Sequence, residues 1–196
     1  MLKSTLIIAL LFSFLLILTN CKSELTEKYK VSKTLTKTFE TAFILIPNDE
    51  AEIVIAASTF RTLFDGLKDG FPDGHLDLQY VTYSVNSSPN NTAAGAAIDL
   101  AVDNIPMFDN AVLDLGSSGE QFLTQQLKAE GADRLRSAIL VAVYADHPAD
   151  IRFRLSAQAT SAGVLQANVT IGMRFSFTYS SCEELLVGMG DQPCLQ

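Results

Sequence analysis

Leu165-Gln-Ala-Asn-Val-Thr-Ile-Gly-Met-Arg-Phe-Ser-Phe-Thr-Tyr179 alternates along almost its whole length. Leu165, Val169, Ile171, Met173, Phe175, Phe177 and Tyr179 share one phase, and Asn168, Thr170, Arg174, Ser176 and Thr178 share the other. Successive side chains of a strand point to opposite faces. A period of two held this long predicts a strand with one face in a core and the other in water. Ile151 to Ala159 repeats the pattern, with Ile151, Phe153 and Leu155 set against Arg152, Arg154 and Ser156. Ser161-Ala162-Gly163 between them reads as a turn.

Upstream, Leu135 to Ala145 is a short apolar run carrying Ile139, Val141 and Val143, and it reads as a buried strand closed by the His147-Pro148-Ala149-Asp150 turn. Ser117 and Ser118 stand three residues before Glu120 and Gln121, a capping-box spacing. A helix is expected from there to about Glu130, burying Phe122, Leu123 and Leu127, with Gly131 as its stop. Leu76, Leu78 and Tyr80 alternate within Gly74–Val85, and Ile98, Leu100 and Val102 within Ala96–Asp103. The turn-rich Asn86–Thr92 between them suggests a hairpin. Ala111–Leu115 reads as a short strand.

Near the start, Leu35, Phe39, Phe43 and Leu45 alternate within Lys33–Ile46, and Ile53 and Ile55 mark a strand over Ala51–Ala57. Phe60, Leu63, Phe64 and Leu67 then fall at helical spacing within Ser58–Gly70, with Ser58 as the expected N-cap. About seven strands in hairpin order, with one or two short helices and no regular strand–helix alternation, predict a mainly β fold. The expected architecture is an antiparallel β-sandwich over residues 33–196.

The first residues say something different. Lys3 precedes an apolar run from Thr5 to Leu18, shorter than the ~20 residues a bilayer span needs. This is the pattern of an export signal over residues 1–20. Leu18-Thr19-Asn20-Cys21 resembles the bacterial lipobox, and Asn20 in place of Gly or Ala is similar to the looser lipobox of Bacteroidota. That resemblance implies cleavage before Cys21 and lipidation of its thiol. A plain secretory leader, or a retained anchor, are the competing readings. Lys22 following the cysteine argues, by the same analogy, for the outer membrane over inner-membrane retention. Polar residues 21–32 are expected to form a lipid-bearing flexible stalk. In its sequence of elements the mature chain resembles small Bacteroidota lipoproteins of unknown function with Ig-like sandwiches. That resemblance brings no catalytic residue.

The chain of 196 residues has a formal charge of −8, and losing the leader with its single Lys3 takes this to −9. An acidic domain without a Lys/Arg cluster repels phosphate backbones, which argues against nucleic acid as a partner. It also makes charge an unsuitable membrane anchor, leaving a covalent lipid. With Cys21 lipidated, Cys182 and Cys194 remain as an even pair in an oxidising compartment and are expected to form a disulfide.

The chemistry-bearing candidates are sparse. Asp65, Asp69, Asp73 and Asp77 fall four apart among glycines; carboxylates suit Ca²⁺, but the spacing is not that of an EF-hand, and a solvated helix end explains it as well. His75 and His147 each stand beside turn residues. Gly116-Ser117-Ser118-Gly119 lacks the spacing of a nucleophile elbow. Arg152, Arg154 and Arg174 could form a basic spot on an outer sheet face, or simply pair with acids across strands. Tyr80, Tyr83 and Tyr144 are the tyrosines available to a glycan. No catalytic residue, metal or cofactor is expected. The reading is a non-enzymatic, lipid-anchored envelope protein that binds or scaffolds an envelope protein or glycan. A carrier of a small apolar ligand is the alternative, and a hydrolase with a scattered site the third.

Overall fold

The computed structural model describes residues 26–47, 49–65, 75–186 and 194. Eight strands and two α-helices follow in the order β1 (Thr26–Leu45), β2 (Glu50–Ile55), α1 (Ala57–Leu63), β3 (His75–Ser87), β4 (Gly95–Val102), β5 (Ile105–Asp114), β6 (Gln121–Phe122), α2 (Ala129–Tyr144), β7 (Ile151–Ala159) and β8 (Ala167–Leu186). They form two four-stranded sheets, β1-β8-β3-β6 and β2-β7-β4-β5, called here sheet A and sheet B. Every strand pair is antiparallel. The β-sandwich expected from the alternation is therefore present.

Its wiring is not immunoglobulin-like. The first strand pairs with the last along all of β1, from Thr26 opposite Leu186 to Leu45 opposite Ala167. Nearly every connection crosses from one sheet to the other, the exception being the β4–β5 hairpin. Eight strands wound in this order make a jelly roll. The β3–β4 hairpin expected from the sequence does not exist: β3 pairs with β8 and β6, and β4 with β7 and β5. The hairpin that does form turns at Asp103-Asn104, both at positive φ (47° and 69°). That is the type I′ geometry that matches strand twist, and Asn and Asp tolerate it best.

Two neighbouring elements exchange places with the expectation. Leu135–Tyr144 belongs to helix α2, not to a strand, and Ser117–Lys128 forms no α-helix: it holds the two-residue β6, one 3-10 turn at Thr124–Gln126 and otherwise irregular chain. Leu135, Ala138, Ile139 and Ala142 are buried at helical spacing. A short apolar run carries both periods, and here the length of the segment and its four alanines favour the helix. Gly131 does not end a helix but lies in the first turn of this one. Helix α1 opens from Ala56 without a side-chain cap, so Ser58 is not its N-cap. The Ala57 N–H instead donates to the Asp150 carboxylate at 3.0 Å, from the far end of the chain. Arg61 then donates from α1 to the Ala142 and Ala145 carbonyls at the C-terminus of α2, at 2.9 and 2.7 Å, where a cation meets unpaired carbonyls and the negative end of the helix dipole.

The core lies between the sheets. Phe39, Phe43, Phe175 and Phe177 come from sheet A, Phe153, Ile98 and Leu100 from sheet B, and Phe60 and Phe64 from α1 and the residue after it. Rings meet across the layers, Phe39 on Phe60 at 5.0 Å and Phe64 on Phe175 at 6.2 Å. In β3 the alternation breaks where the register shifts between Leu78 and Tyr80. A β-bulge flips the phase. Val81 and Tyr83 therefore enter the core, and Tyr80 turns to the outer face instead of following Leu76 and Leu78.

Free edges are managed. On β1, Lys33 and Lys37 share the phase of Leu35 and Phe39 and stand half-buried, charges that discourage another strand from docking. Lys33 pairs with Glu183, and that hydrogen bond raises its pKa. On β5, Val112 N–H donates to the Gln126 side chain at 3.0 Å and Asp114 N–H to the Tyr83 hydroxyl at 2.9 Å.

The ladder begins at Thr26, so Thr26–Ser32 is paired strand rather than the flexible stalk expected there. The expected leader, residues 1–20, and Cys21 lie outside the described residues. At the same end, Cys182 and Cys194 are joined in a disulfide, with Cα atoms 6.2 Å apart. Cys194 N–H also donates to the Lys28 carbonyl of β1 at 2.8 Å. A bridge of sequence separation 12 removes chain entropy from the unfolded state. The double substitution Cys182→Ser/Cys194→Ser should lower stability by about 2–3 kcal/mol in the loop-entropy account, read as a lower urea midpoint than the parent under non-reducing conditions.

Candidate functional site

The outer faces of the two sheets differ in character, and the sequence candidates distribute over both. Arg152 and Arg154 lie on β7 in sheet B, while Arg174 lies on β8 in sheet A. The basic spot is therefore not assembled. Arg154 pairs with Glu52 at 2.8 Å and Glu50 at 3.7 Å, and Arg152 with Glu52 at 3.8 Å. These are the cross-strand ion pairs of an ordinary solvated face.

Sheet B carries a groove of about 430 Å³ lined by Glu50, Asp99, Asn104, Asp109, Arg154 and Ser156 over Leu100 and Phe108. Its charges are already matched. Asp99 accepts from the Asn110 N–H at 2.7 Å and lies 3.4 Å from the Ser156 hydroxyl, and Asp109 pairs with Lys128 at 2.5 Å. A second depression, about 400 Å³, lies beside α1 over Phe39. It is lined also by Ser58, Thr59, Thr62 and Leu63 and is open to solvent. This is the position expected for an apolar ligand beneath the helix, and its lining is more apolar than polar, but it is an open surface depression rather than a cavity between the sheets.

Sheet A presents the more distinctive surface. Register aligns its outer side chains in rows: Thr34–Thr178–His75, Thr36–Ser176–Asp77, Thr38–Arg174–Tyr80, Glu40–Gly172–Thr82 and Ala42–Thr170–Ser84. Rows repeat every two residues, roughly 7 Å along the strands. The middle of this hydroxyl-rich face is aromatic and charged. Phe122 on β6 is 70% exposed, and its ring meets Tyr80 edge-on at 5.7 Å. Arg174 lies 5.5 Å from the centre of the Tyr80 ring and donates to its hydroxyl at 3.0 Å, a cation–π contact locked by a hydrogen bond. The Arg174 Nε is buried and finds no acceptor among the described residues.

One row on, Gly172 leaves a notch of about 190 Å³ bordered by Glu40, Thr82, Ser84, Glu120 and Thr170. A Cβ on Gly172 would stand 2.8 Å from the Thr82 Oγ1, 3.9 Å from the Glu120 Oε1 and 4.0 Å from the Glu40 Cγ. The Thr82 hydroxyl thus forms the floor of the notch and the two acidic side chains its borders. Thr82, itself buried, donates its hydroxyl to Glu120 at 2.6 Å and holds that carboxylate over the notch.

No protein-family model matches the chain, and no curated protein matches it. Among the solved structures to which the chain is similar are virus capsid proteins. That of Desmodium yellow mottle tymovirus is 11% identical, with a TM-score of 0.33, over 82% of this chain and 86% of that one. Turnip yellow mosaic virus gives 8% identity and a TM-score of 0.32 over 81% and 98%. The decameric BFDV capsid protein gives 9% and 0.34 over 76% and 99%.

The remaining sequence candidates do not converge. His75 is exposed at the start of β3 and His147 is exposed in the loop before β7. Asp65 follows α1, while Asp69 and Asp73 lie outside the described residues. Among the described residues no group of three His, Cys, Asp or Glu is placed to hold a metal ion. Tyr83 is buried and bonds to the backbone at Asp114, so of the tyrosines weighed for a glycan only Tyr80 lies on this surface. Sequence reasoning missed Phe122, Glu40, Glu120 and Gly172. Phe122 was expected inside a helix core. The one signal in the sequence was a glycine inside a long strand pattern, which marks a close approach or a gap.

Proposed function

We propose that this chain is a non-enzymatic binding module of the cell envelope, held at the outer membrane by lipid on Cys21, that recognises its partner with the outer face of sheet A. The observation that carries the reading is the exposed Phe122 beside Tyr80 and Arg174. A large aromatic ring left in water on a sandwich whose phenylalanines otherwise fill the core points to a contact surface.

The anchor and the face fit one another physically. Paired strand starts at Thr26, so the residues between it and Cys21 can reach at most about 18 Å even fully extended. The lipid would hold the disulfide-bonded end of the sandwich close to the headgroups, with the sheet faces standing away from them. An acidic globule gains little from anionic lipid, so acyl chains at about 0.8 kcal/mol per buried methylene would supply the attachment.

Cys21→Ser tests the anchor. The variant should move from the membrane fraction almost wholly to the soluble fraction, and mass spectrometry of the parent should find a mature N-terminal peptide beginning at an acylated Cys21. Equal membrane retention by the variant, or an unmodified N-terminal residue, ends the lipoprotein reading. A photoreactive residue at position 122 should crosslink to an envelope component in living cells, and one at Val54, exposed on sheet B, should not.

A further inference from the structure

From the sheet A face we infer a ligand class: the Phe122–Tyr80 platform and the Gly172 notch form a subsite for one pyranose ring of a neutral glycan. The inference rests on the binding reading above and deepens it.

A pyranose has two demands that few other ligands combine. One ring face is a patch of C–H bonds and stacks on an aromatic side chain. Its equatorial rim is hydroxyl, and each hydroxyl both donates and accepts, so it pairs best with carboxylates and guanidinium groups held side by side. Phe122 offers an exposed ring next to Tyr80. Two residues along β8 from Arg174, Gly172 bares a shallow notch whose floor is the Thr82 hydroxyl, and Glu40 on β1 and Glu120 just before β6 border it. Arg174 stands one row from the notch, beside Tyr80 and fixed by it. The carboxylates accept hydroxyl protons, the guanidinium donates to hydroxyl or ring oxygens, and the ring face rests on Phe122. Beyond the notch Thr170 and Ser84 offer hydroxyls to a neighbouring sugar unit, and on the other side of Arg174 so do Thr36 and Ser176.

Charge chooses among glycans. The chain carries −8 overall, and two carboxylates border the notch itself. An acidic polysaccharide would be repelled, so a neutral one fits. The sheet B groove competes poorly as a subsite because Glu50 is paired with Arg154, Asp109 with Lys128 and Asp99 with the Asn110 N–H, and no exposed aromatic ring lines it.

Affinity electrophoresis of the full mature protein in native gels tests this, with laminarin, galactomannan and xyloglucan as neutral probes and polygalacturonate as the acidic one. Retardation by at least one neutral polysaccharide and none by polygalacturonate is expected. Phe122→Ala should weaken it at least tenfold without changing the melting temperature, since the ring is already in water. Glu40→Gln/Glu120→Gln should weaken it by a similar factor, and Val54→Ala on sheet B should leave it unchanged.

Absence of retardation by every neutral probe overturns the inference, as does retardation by polygalacturonate alone or binding that survives Phe122→Ala. If the neutral probes fail while the residue-122 crosslink captures an envelope protein, the glycan inference falls and the binding module stands. Release of reducing ends from a probe would keep the glycan ligand and overturn the non-enzymatic reading.

Discussion

Gly131→Ala should destabilise the protein by about 2–3 kcal/mol, although alanine is the better helix former. The intrinsic preference of a helix interior favours alanine over glycine by roughly 1 kcal/mol. Packing decides against it. A Cβ at Gly131 would stand 2.3 Å from the Met107 Cα, 2.4 Å from the Pro106 carbonyl oxygen and 2.7 Å from the Met107 nitrogen. All three are backbone atoms of β5, and backbone cannot rotate away as a side-chain tip can. The first turn of α2 would have to lift off the strand, and overpacking of this kind costs typically 1–3 kcal/mol and occasionally more.

Lifting that turn would strain the Lys128 N–H bond to the Met107 carbonyl, 2.9 Å, and the Lys128–Asp109 pair. It would also loosen the buried Leu135 and Ile139. Ser137→Ala, on the exposed side of the same helix, is the control and should be neutral or slightly stabilising. Chemical denaturation of the three proteins reads the result. A Gly131→Ala variant as stable as the parent would mean that α2 does not approach β5 this closely.

The same glycine shows where the sequence was legible and where it was not. Strand β7 has the bounds that its alternation implied, Ile151–Ala159, because one face is core and the other water over its whole length. Helix α2 was misread because its segment presents β-branched and leucine residues in a short run, and because Gly131 reads locally as a helix stop. Its reason is non-local, the closeness of β5. The jelly-roll order was equally hidden. Alternation specifies which face of a strand is buried but not which strand lies beside it, so the turn-rich Asn86–Thr92 suggested a hairpin where the chain in fact changes sheets. The bulge between Leu78 and Tyr80 carried Tyr80 from the expected core phase to the outer face, next to Phe122. The candidate site was invisible for the same reason: Glu40, Gly172 and Glu120 meet through register, and register is a property of the assembled sheet.

Phe153→Ala should be the most damaging single core truncation, costing about 3–5 kcal/mol, a large share of the roughly 5–15 kcal/mol that holds a domain of this kind. Phe153 is fully buried on β7, an interior strand of sheet B. Its ring stacks on Phe39 of β1 in sheet A, with centroids 6.3 Å apart and planes inclined by 20°. Phe39 in turn packs on Phe60 of α1 at 5.0 Å. Three rings therefore connect both sheets and the helix. Removing the middle of sheet B from that contact leaves a cavity whose walls are strands pinned by long ladders, and such walls relax little. Phe39→Ala should cost less, because Phe39 lies on an edge strand beside the open depression near α1, where neighbours and water can adjust. The double variant should cost less than the sum of the two, since the first truncation already removes the contact that the second would break. Urea midpoints of the parent, the two single variants and the double variant give this coupling directly. Strict additivity would mean that the two rings do not touch and that the sheets are joined elsewhere.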